Sequence, residues 1–231
     1  MTSLSDFPIT QKWPPRHPDR LQLYTLGTPN GFKISIMLEE TGLPYEVHKV
    51  SFQTRDQFSP EFLSLNPNGK IPAIIDPNGP DGQALGLFES GVILFYLAEK
   101  TGRFMPPGKP ARMETLAWLM FQMANIGPMF GQVGFFYKYG GSAYEDKRPL
   151  ERYANESRRL LGVLNERLRD RQWTMGDEYS IVDMAVFPWV NGTLTHYLAG
   201  DLLGIADFPE VTRVLDAFLA RPGVQRGMKV P

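Results

Sequence analysis

Apolar residues recur along the chain with two different periods, and the change between them divides it. "LQLYTL" (21–26), with Leu21, Leu23, Tyr24 and Leu26 apolar, predicts a strand, followed from about 30 to 42 by Ile34, Ile36, Met37 and Leu38 at helical spacing. "YEVHKV" (45–50) predicts a second strand, and "SPEFLSLNP" (59–67) a short helix ended by Asn66-Pro67. "IPAIID" (71–76) and "ALGLF" (84–88) predict two strands joined through the turn-rich "PNGPDG" (77–82). "SGVILFYLAEKTG" (90–102) predicts a helix with a wide apolar face, closed by Gly102. The order is βαβ, a helix, a ββ hairpin and a last helix. The first two strands are able to pair in parallel through a right-handed crossover.

After residue 102 the strand period disappears. "RFMPPGKPA" (103–111) has the composition of a linker. Residues 111–139 predict a long helix, kinked or interrupted at Gly127-Pro128. Residues 149–171 predict another, with Leu160, Leu161, Leu164 and Leu168 on one face. The largely apolar 180–198 and the closing 208–224 complete a helical half. Ser180 and Asp183 fit an S-x-x-D capping box, with Tyr179 and Met184 placed as its hydrophobic staple, which is a device for stability. Residues 1–20 carry four prolines and predict an arm outside the core, laid over the surface or against a partner subunit. The predicted divisions are an arm (1–20), an α/β domain (21–102), a linker (103–111) and an all-helical domain (112–231).

Composition narrows the chemistry. The 231 residues are 42% hydrophobic and 21% charged with a net charge of −1, which gives no broad attraction to nucleic acid or anionic membrane. No apolar run reaches the roughly 18 residues needed to span a bilayer. The first twenty residues lack the apolar core of a secretory signal, so a cytoplasmic protein is expected. Cysteine is absent, which excludes structural disulfides, thiolate metal sites and a protein thiol nucleophile. His17, His48 and His196 are scattered without metal-ligand spacing, and no GxSxG elbow is present.

Three segments carry candidate chemistry. In "NGKIPAI" (68–74), Pro72 at a strand start suits an edge position or a cis turn. A cis bond would turn the Ile71 carbonyl and N–H outward to pair with a ligand backbone. In "FESGVIL" (88–94), Ser90 is an N-cap candidate whose helix start attracts a carboxylate, and Glu89 suits an ammonium. The pair matches the two charged groups of an amino acid. "LGTPNGFK" (26–33) is a strand-to-helix turn, and Gly31 in it removes bulk where a ligand would approach.

Taken in this order, "NGKIPAI", "ESGVILFYLAEK" and "YSIVDMAVFPWV" resemble the cis-proline, Glu-Ser and capping-box motifs of the cytosolic glutathione transferases. The resemblance covers about residues 21–225. "TPNGFKISIMLEETGLPYEVHKV" and "DQFSPEFLSLNPNGKIPAI" are most similar to the nu-type bacterial enzymes, relatives of the fungal nitrogen-catabolite regulator. It implies a thioredoxin-like βαβ-α-ββα domain followed by an all-helical domain, and a homodimer. It implies glutathione as the cofactor, reduced or oxidised, with one or two molecules per site left open. Ile71, beside Pro72, would pair with the cysteinyl part, and Glu89 and Ser90 would hold the γ-glutamyl end. Gln57 and Lys70 would meet the remaining parts, and Arg152 would reach in from the helical domain.

A thiol of pKa near ~8.5 must be held as thiolate to react. Thr28 stands at the serine-like position of the family, and Asn30 follows at the helix start. Both are able to donate to sulfur, and the helix N-terminus adds positive potential. Lowering the thiol pKa by one to two units takes roughly 1.4–2.7 kcal/mol. Asn30 is also an N-cap candidate, while Tyr24 falls inside the first strand as a core residue. The resemblance implies a glutathione-dependent disulfide reductase. Conjugation of an electrophile, and glutathione binding for regulation without turnover, are the alternatives. Trp118, Met120, Phe121, Met123, Met129, Phe130, Phe135, Phe136, Tyr137 and Tyr139 predict mostly helix core, with some near 130–139 lining a substrate pocket.

Overall fold

The five residues of β1 (Leu21–Thr25) are all buried, as expected of a strand covered on both faces. In the computed structural model, which describes residues 2–231, β1 is a central strand of a four-stranded sheet ordered β2-β1-β3-β4. A short helix α1 (Ile9–Lys12) precedes it, and α2 (Pro29–Thr41), β2 (Tyr45–Lys49), α3 (Pro60–Leu65), β3 (Ala73–Asp76), β4 (Leu85–Phe88) and α4 (Ser90–Thr101) follow. β1 pairs with β2 in parallel, Leu23 opposite Val47. β3 runs antiparallel to β1 and to β4, with Ile74 opposite both Leu23 and Leu87. The predicted elements are all present, and Gly102 closes α4 in the left-handed region.

The chain separates into two compact units, one running to Thr101 and taking back Pro222–Pro231, the other Gly102–Arg221. The first unit therefore includes α11 (Pro222–Gly227), which the sequence reading grouped with the helical half. α11 lies on α2: Ser35 Oγ donates to Gly227 O at 2.7 Å, and Arg226 Nε pairs with Glu39 Oε2 at 2.6 Å. The arm is also corrected. Leu4 and Ile9 enter the core with Tyr24, Phe62, Ile71 and Ile75, and Phe7 and Trp13 pack against it. Trp13 Nε1 donates to Lys49 O, and the backbone N–H groups of Arg16 and His17 donate to Glu46. A segment with four apolar anchors and these bonds is part of the domain.

The second unit is helical: α5 (Lys109–Phe121), α6 (Gly127–Tyr137), α7 (Arg148–Leu168), α8 (Ile181–Thr195), α9 (Gly200–Leu203) and α10 (Pro209–Leu219). The predicted interruption at Gly127-Pro128 takes the form of a π-helical stretch, Gln122–Ile126, between α5 and α6. The aromatic and methionine residues of this stretch are not mostly core. Phe130 alone of the ten is buried, and Met120, Phe135, Tyr137 and Tyr139 are exposed. The buried stripe is Thr115, Leu119, Gln122, Ile126, Phe130 and Val133, whose spacing of three and four defines the inward face. α7 packs by Leu160, Leu161, Leu164 and Leu168, as its period predicts. The capping box of α8 forms. Ser180 N donates to Asp183 Oδ2 at 2.9 Å and Val182 N to Ser180 Oγ at 3.2 Å, and Tyr179 and Met184 are buried. Among the described residues no helix is long and apolar enough to cross a membrane.

Candidate functional site

Three loops of the first unit carry the candidate residues. The β1–α2 turn begins with Thr28, in an extended conformation, whose Oγ1 accepts from Gly31 N at 3.2 Å. Thr28 is therefore the N-cap of α2, with Pro29 at the first helical position and Asn30 next. The N-cap reading of Asn30 is corrected accordingly. A hydroxyl has one O–H and two lone pairs, so capping leaves the Thr28 O–H as a donor. Thr28 and Asn30 are both half-buried.

Gly31 is required by the turn itself. A Cβ there would lie 2.1 Å from Leu26 O and 2.6 Å from Thr25 Oγ1, so any side chain would drive the turn apart. Tyr24 is fully buried, stacked on His48 at 4.7 Å, and its hydroxyl has no hydrogen-bond partner among the described residues. Burial and the charge of Glu46 push its pKa up. It is a core residue, as its place in β1 predicts.

The α3–β3 loop is shaped by Asn66. Its Oδ1 accepts from Asn68 N at 3.0 Å, and its Nδ2 donates to Lys70 O. Gly69 takes a left-handed φ of +63°. These bonds leave the Lys70 side chain exposed and lead into the Ile71-Pro72 peptide, which is cis. Ile71 and Pro72 are buried, and among the described residues no backbone turn or loop hydrogen bond involves Ile71 N or O. Gln57 sits beside this loop, its carbonyl 3.2 Å from where a Gly69 Cβ would be, and its Oε1 is a buried acceptor without a partner.

At the β4–α4 junction Ser90 is the first helical residue, so its expected N-cap place is corrected by one position. Glu89 precedes it at φ +69°, a left-handed conformation rare outside glycine, and gives its carbonyl to Ile93 N at 3.0 Å. Strained backbone of this kind concentrates at functional sites. The conformation accompanies an exposed Glu89 carboxylate next to a buried Ser90 at the start of a 12-residue helix. Lys33 was not foreseen. It is fully buried on α2, and its Nζ donates to Ser90 Oγ at 3.2 Å.

Arg152 belongs to the second unit. It stands on α7 in a cleft of about 890 Å³ with Met129, Arg148, Tyr153, Asn155, Glu156 and Arg159. Arg148 is tied to Asp146 at 2.6 Å and Arg159 to Glu156 at 2.7 Å. Arg152 is exposed and takes part in none of the ion pairs among the described residues. The described residues contain no group of side chains arranged to hold a metal ion.

Tyr24 pairs with Ala73 and Ala73 with Phe88, so the turn after β1, the cis peptide before β3 and the junction after β4 open at the same edge of the sheet. Sequence models of the glutathione S-transferase N-terminal and C-terminal domains match residues 19–99 and 126–222. The disulfide-bond oxidoreductase YfcG of Escherichia coli (strain K12) is 42% identical over 211 residues, covering 90% of this chain and 94% of that protein. Among solved structures, a glutathione transferase from Pseudomonas putida with one glutathione disulfide per subunit superposes with a TM-score of 0.98 at 63% identity, over 100% of each chain. One from Burkholderia graminis with two glutathione molecules per subunit superposes at 0.98 and 64% identity, covering 100% of this chain and 96% of that one.

Proposed function

The chain belongs to the glutathione S-transferase family, and from that membership we propose that it is a glutathione-dependent disulfide-bond oxidoreductase of the nu type. Weaker conjugating and peroxide-reducing activities accompany the main one. The observation that carries this reading is a donor-bearing turn at Thr28 and Asn30 in a chain without cysteine. The relatives support it: two similar structures hold glutathione disulfide or two glutathiones per subunit, and YfcG is named for disulfide-bond chemistry.

The donor set fits γ-Glu-Cys-Gly. Ser90 and the first-turn N–H groups of α4 take the γ-glutamyl carboxylate, and Glu89 its ammonium. The Ile71 backbone pairs with the cysteinyl unit. The partnerless Gln57 Oε1 and the Lys70 ammonium serve the rest, Lys70 at the terminal carboxylate. Thr28 and Asn30 donate to the sulfur and favour its thiolate.

Glutathione is a substrate of this reaction, consumed two per turnover. The first thiolate attacks one sulfur of the substrate disulfide, whose S–S bond breaks and releases one thiolate that takes up a proton. The second glutathione thiolate attacks the glutathione sulfur of the mixed disulfide, releasing the other substrate thiol. Two electrons pass to the substrate, and glutathione disulfide forms. The protein contributes thiolate stabilisation and alignment.

A conjugating enzyme is the second reading, favoured by the exposed Phe135, Tyr137 and Tyr139, which would suit an apolar electrophile. The protein is read as a cytoplasmic homodimer. Exposed Phe58, Phe88 and Val92 in the first unit, and Met113 and Met120 in the second, offer apolar surface for a second copy. Light scattering should return twice the 26.1 kDa chain mass. Purified protein with glutathione and a small dialkyl disulfide should reduce it well above the uncatalysed rate. A rate equal to that control overturns the assignment, and faster thioether formation with a chloro-dinitroarene gives it to the conjugating reading.

A further inference from the structure

The arm at the start of the chain holds the segment that carries Gln57. Trp13 Nε1 donates to Lys49 O at the end of β2, and its ring meets Phe62 of α3 edge-on, with centroids 6.3 Å apart. The connection from β2 to α3 runs between these two points. Within it, Asp56 Oδ1 pairs with Lys12 Nζ at 2.9 Å, and that ammonium also lies 5.2 Å from the centre of the Trp13 ring. Asp56 Oδ2 accepts from Ser51 N at 3.1 Å, so one carboxylate ties the start of the connection and the arm to the same point. Asp56 opens a short 3-10 helix, Asp56–Phe58. Arg55 before it has a left-handed φ of +56°, a conformation that persists in a residue other than glycine only where its surroundings fix it.

The other side of this turn meets the loop that leads to the cis peptide. The Gln57 carbonyl and the Phe58 ring lie 3.2 Å and 3.0 Å from where a Cβ on Gly69 would be. Gln57 Oε1 is buried and has no hydrogen-bond partner among the described residues. A buried acceptor left unpaired is destabilising, and a peptide N–H is a group that satisfies it. With the cysteinyl unit of glutathione on Ile71, the glycyl N–H is the one left to be met. We infer that Lys12 is a positioning residue for the glycyl end of glutathione: through Asp56 it holds the turn that presents Gln57 Oε1 to the glycyl N–H. This rests on the reading that Gln57 meets that part of the ligand. Without the Lys12 ammonium the turn keeps its bond to Ser51 but loses its tie to the arm, and the amide is held less firmly in line. The paired side chains are 31% and 18% accessible, so water screens them and the effect is modest in size.

Calorimetric titration with glutathione and with γ-glutamylcysteine, which lacks only the glycine, tests it. The wild type should prefer glutathione by ~10-fold or more, the scale of a hydrogen bond and a charge contact at the glycyl end. Lys12→Met should reduce that preference by about threefold and leave the affinity for γ-glutamylcysteine unchanged. Asp56→Asn breaks the same pair from the other side and should reproduce the loss, whereas Lys12→Arg keeps the charge and should retain the preference. Gln57→Ala should reduce the preference at least as much as Lys12→Met, and adding Lys12→Met to it should change nothing further. A preference kept in full by Lys12→Met and Asp56→Asn, even with both ligands bound more weakly, marks a structural role and overturns the inference while the glutathione site stands. Additive losses in the double variant overturn it too. A preference that Gln57→Ala does not change overturns the reading of Gln57 and the inference with it, and a wild type that binds neither ligand overturns the glutathione site as a whole.

Discussion

Lys33 Nζ donates to Ser90 Oγ at 3.2 Å, joining α2 and α4 through two buried residues 57 apart in sequence. The pKa of Lys33 lies near 7, against 10.5 for the ordinary side chain, because burial disfavours the charge. Below pH 7 the folded and unfolded chains both carry the proton, and the full cost of burying it is present. Between pH 7 and 10.5 the unfolded chain binds more protons at this position, so its contribution to stability rises with pH. Lys33→Met should therefore be more stable than the wild type at pH 6, by about a few kcal/mol, and the gap should close toward pH 10. Urea unfolding across that range measures it, and a pH-independent gap would refute the burial cost.

The turn residues should separate in kinetics. Asn30→Ala and Thr28→Ala should each lower disulfide-reductase kcat/KM by ~10-fold or more, the scale of a lost bond to a charged sulfur. Thr28→Ala should also cost about 1 kcal/mol of stability through its cap bond to Gly31 N. Tyr24→Phe should leave the rate unchanged, since the hydroxyl is buried without a partner. Loss of activity in Tyr24→Phe with Asn30→Ala intact would move the thiol donor to the tyrosine.

Gly227 is packed against backbone. A Cβ there would lie 2.6 Å from Ile36 Cα and 2.7 Å from Ile36 N, so α11 would have to withdraw from α2. Gly227→Ala should cost about 1–3 kcal/mol. Gly162→Ala in α7 meets nothing nearer than Phe208 Cε1 at 3.8 Å and should stabilise by about 0.5–1 kcal/mol. Thermal unfolding of the two variants tests the contrast.

Asp183 is buried and accepts from Thr174 N at 2.8 Å, Ser180 N at 2.9 Å and Ser180 Oγ at 2.9 Å. Asp183→Ala strips the acceptor from all three and should destabilise by about 3 kcal/mol or more. Its activity per folded molecule should match the wild type, because Asp183 is a folding device.

The sequence disclosed features whose signal is local. Ser180 and Asp183 announce a cap by spacing, Gly102 a helix end, and Pro72 a special peptide. Other features depend on distant parts of the chain. Lys33 has the polarity of a surface residue. Its burial follows from α2 being covered by both α4 and α11, for which the near-continuous Ile34–Leu38 run was the available signal. Glu89 takes its left-handed backbone from the junction and not from its residue type. In residues 1–20 the four prolines mask Leu4, Phe7, Ile9 and Trp13, whose packing on the core is a tertiary fact. The need for Gly31 comes from the Leu26 carbonyl of its own turn, a contact that no residue pattern discloses.

The central assignment is that the turn at Thr28 and Asn30 ionises a thiol brought by glutathione. The direct measurement is the ultraviolet absorbance of the thiolate in the glutathione complex as pH is raised, for the wild type and Asn30→Ala. The wild-type midpoint should lie one to two units below the ~8.5 of a free thiol, and Asn30→Ala should move it back toward that value. A wild-type midpoint at ~8.5 would contradict the assignment.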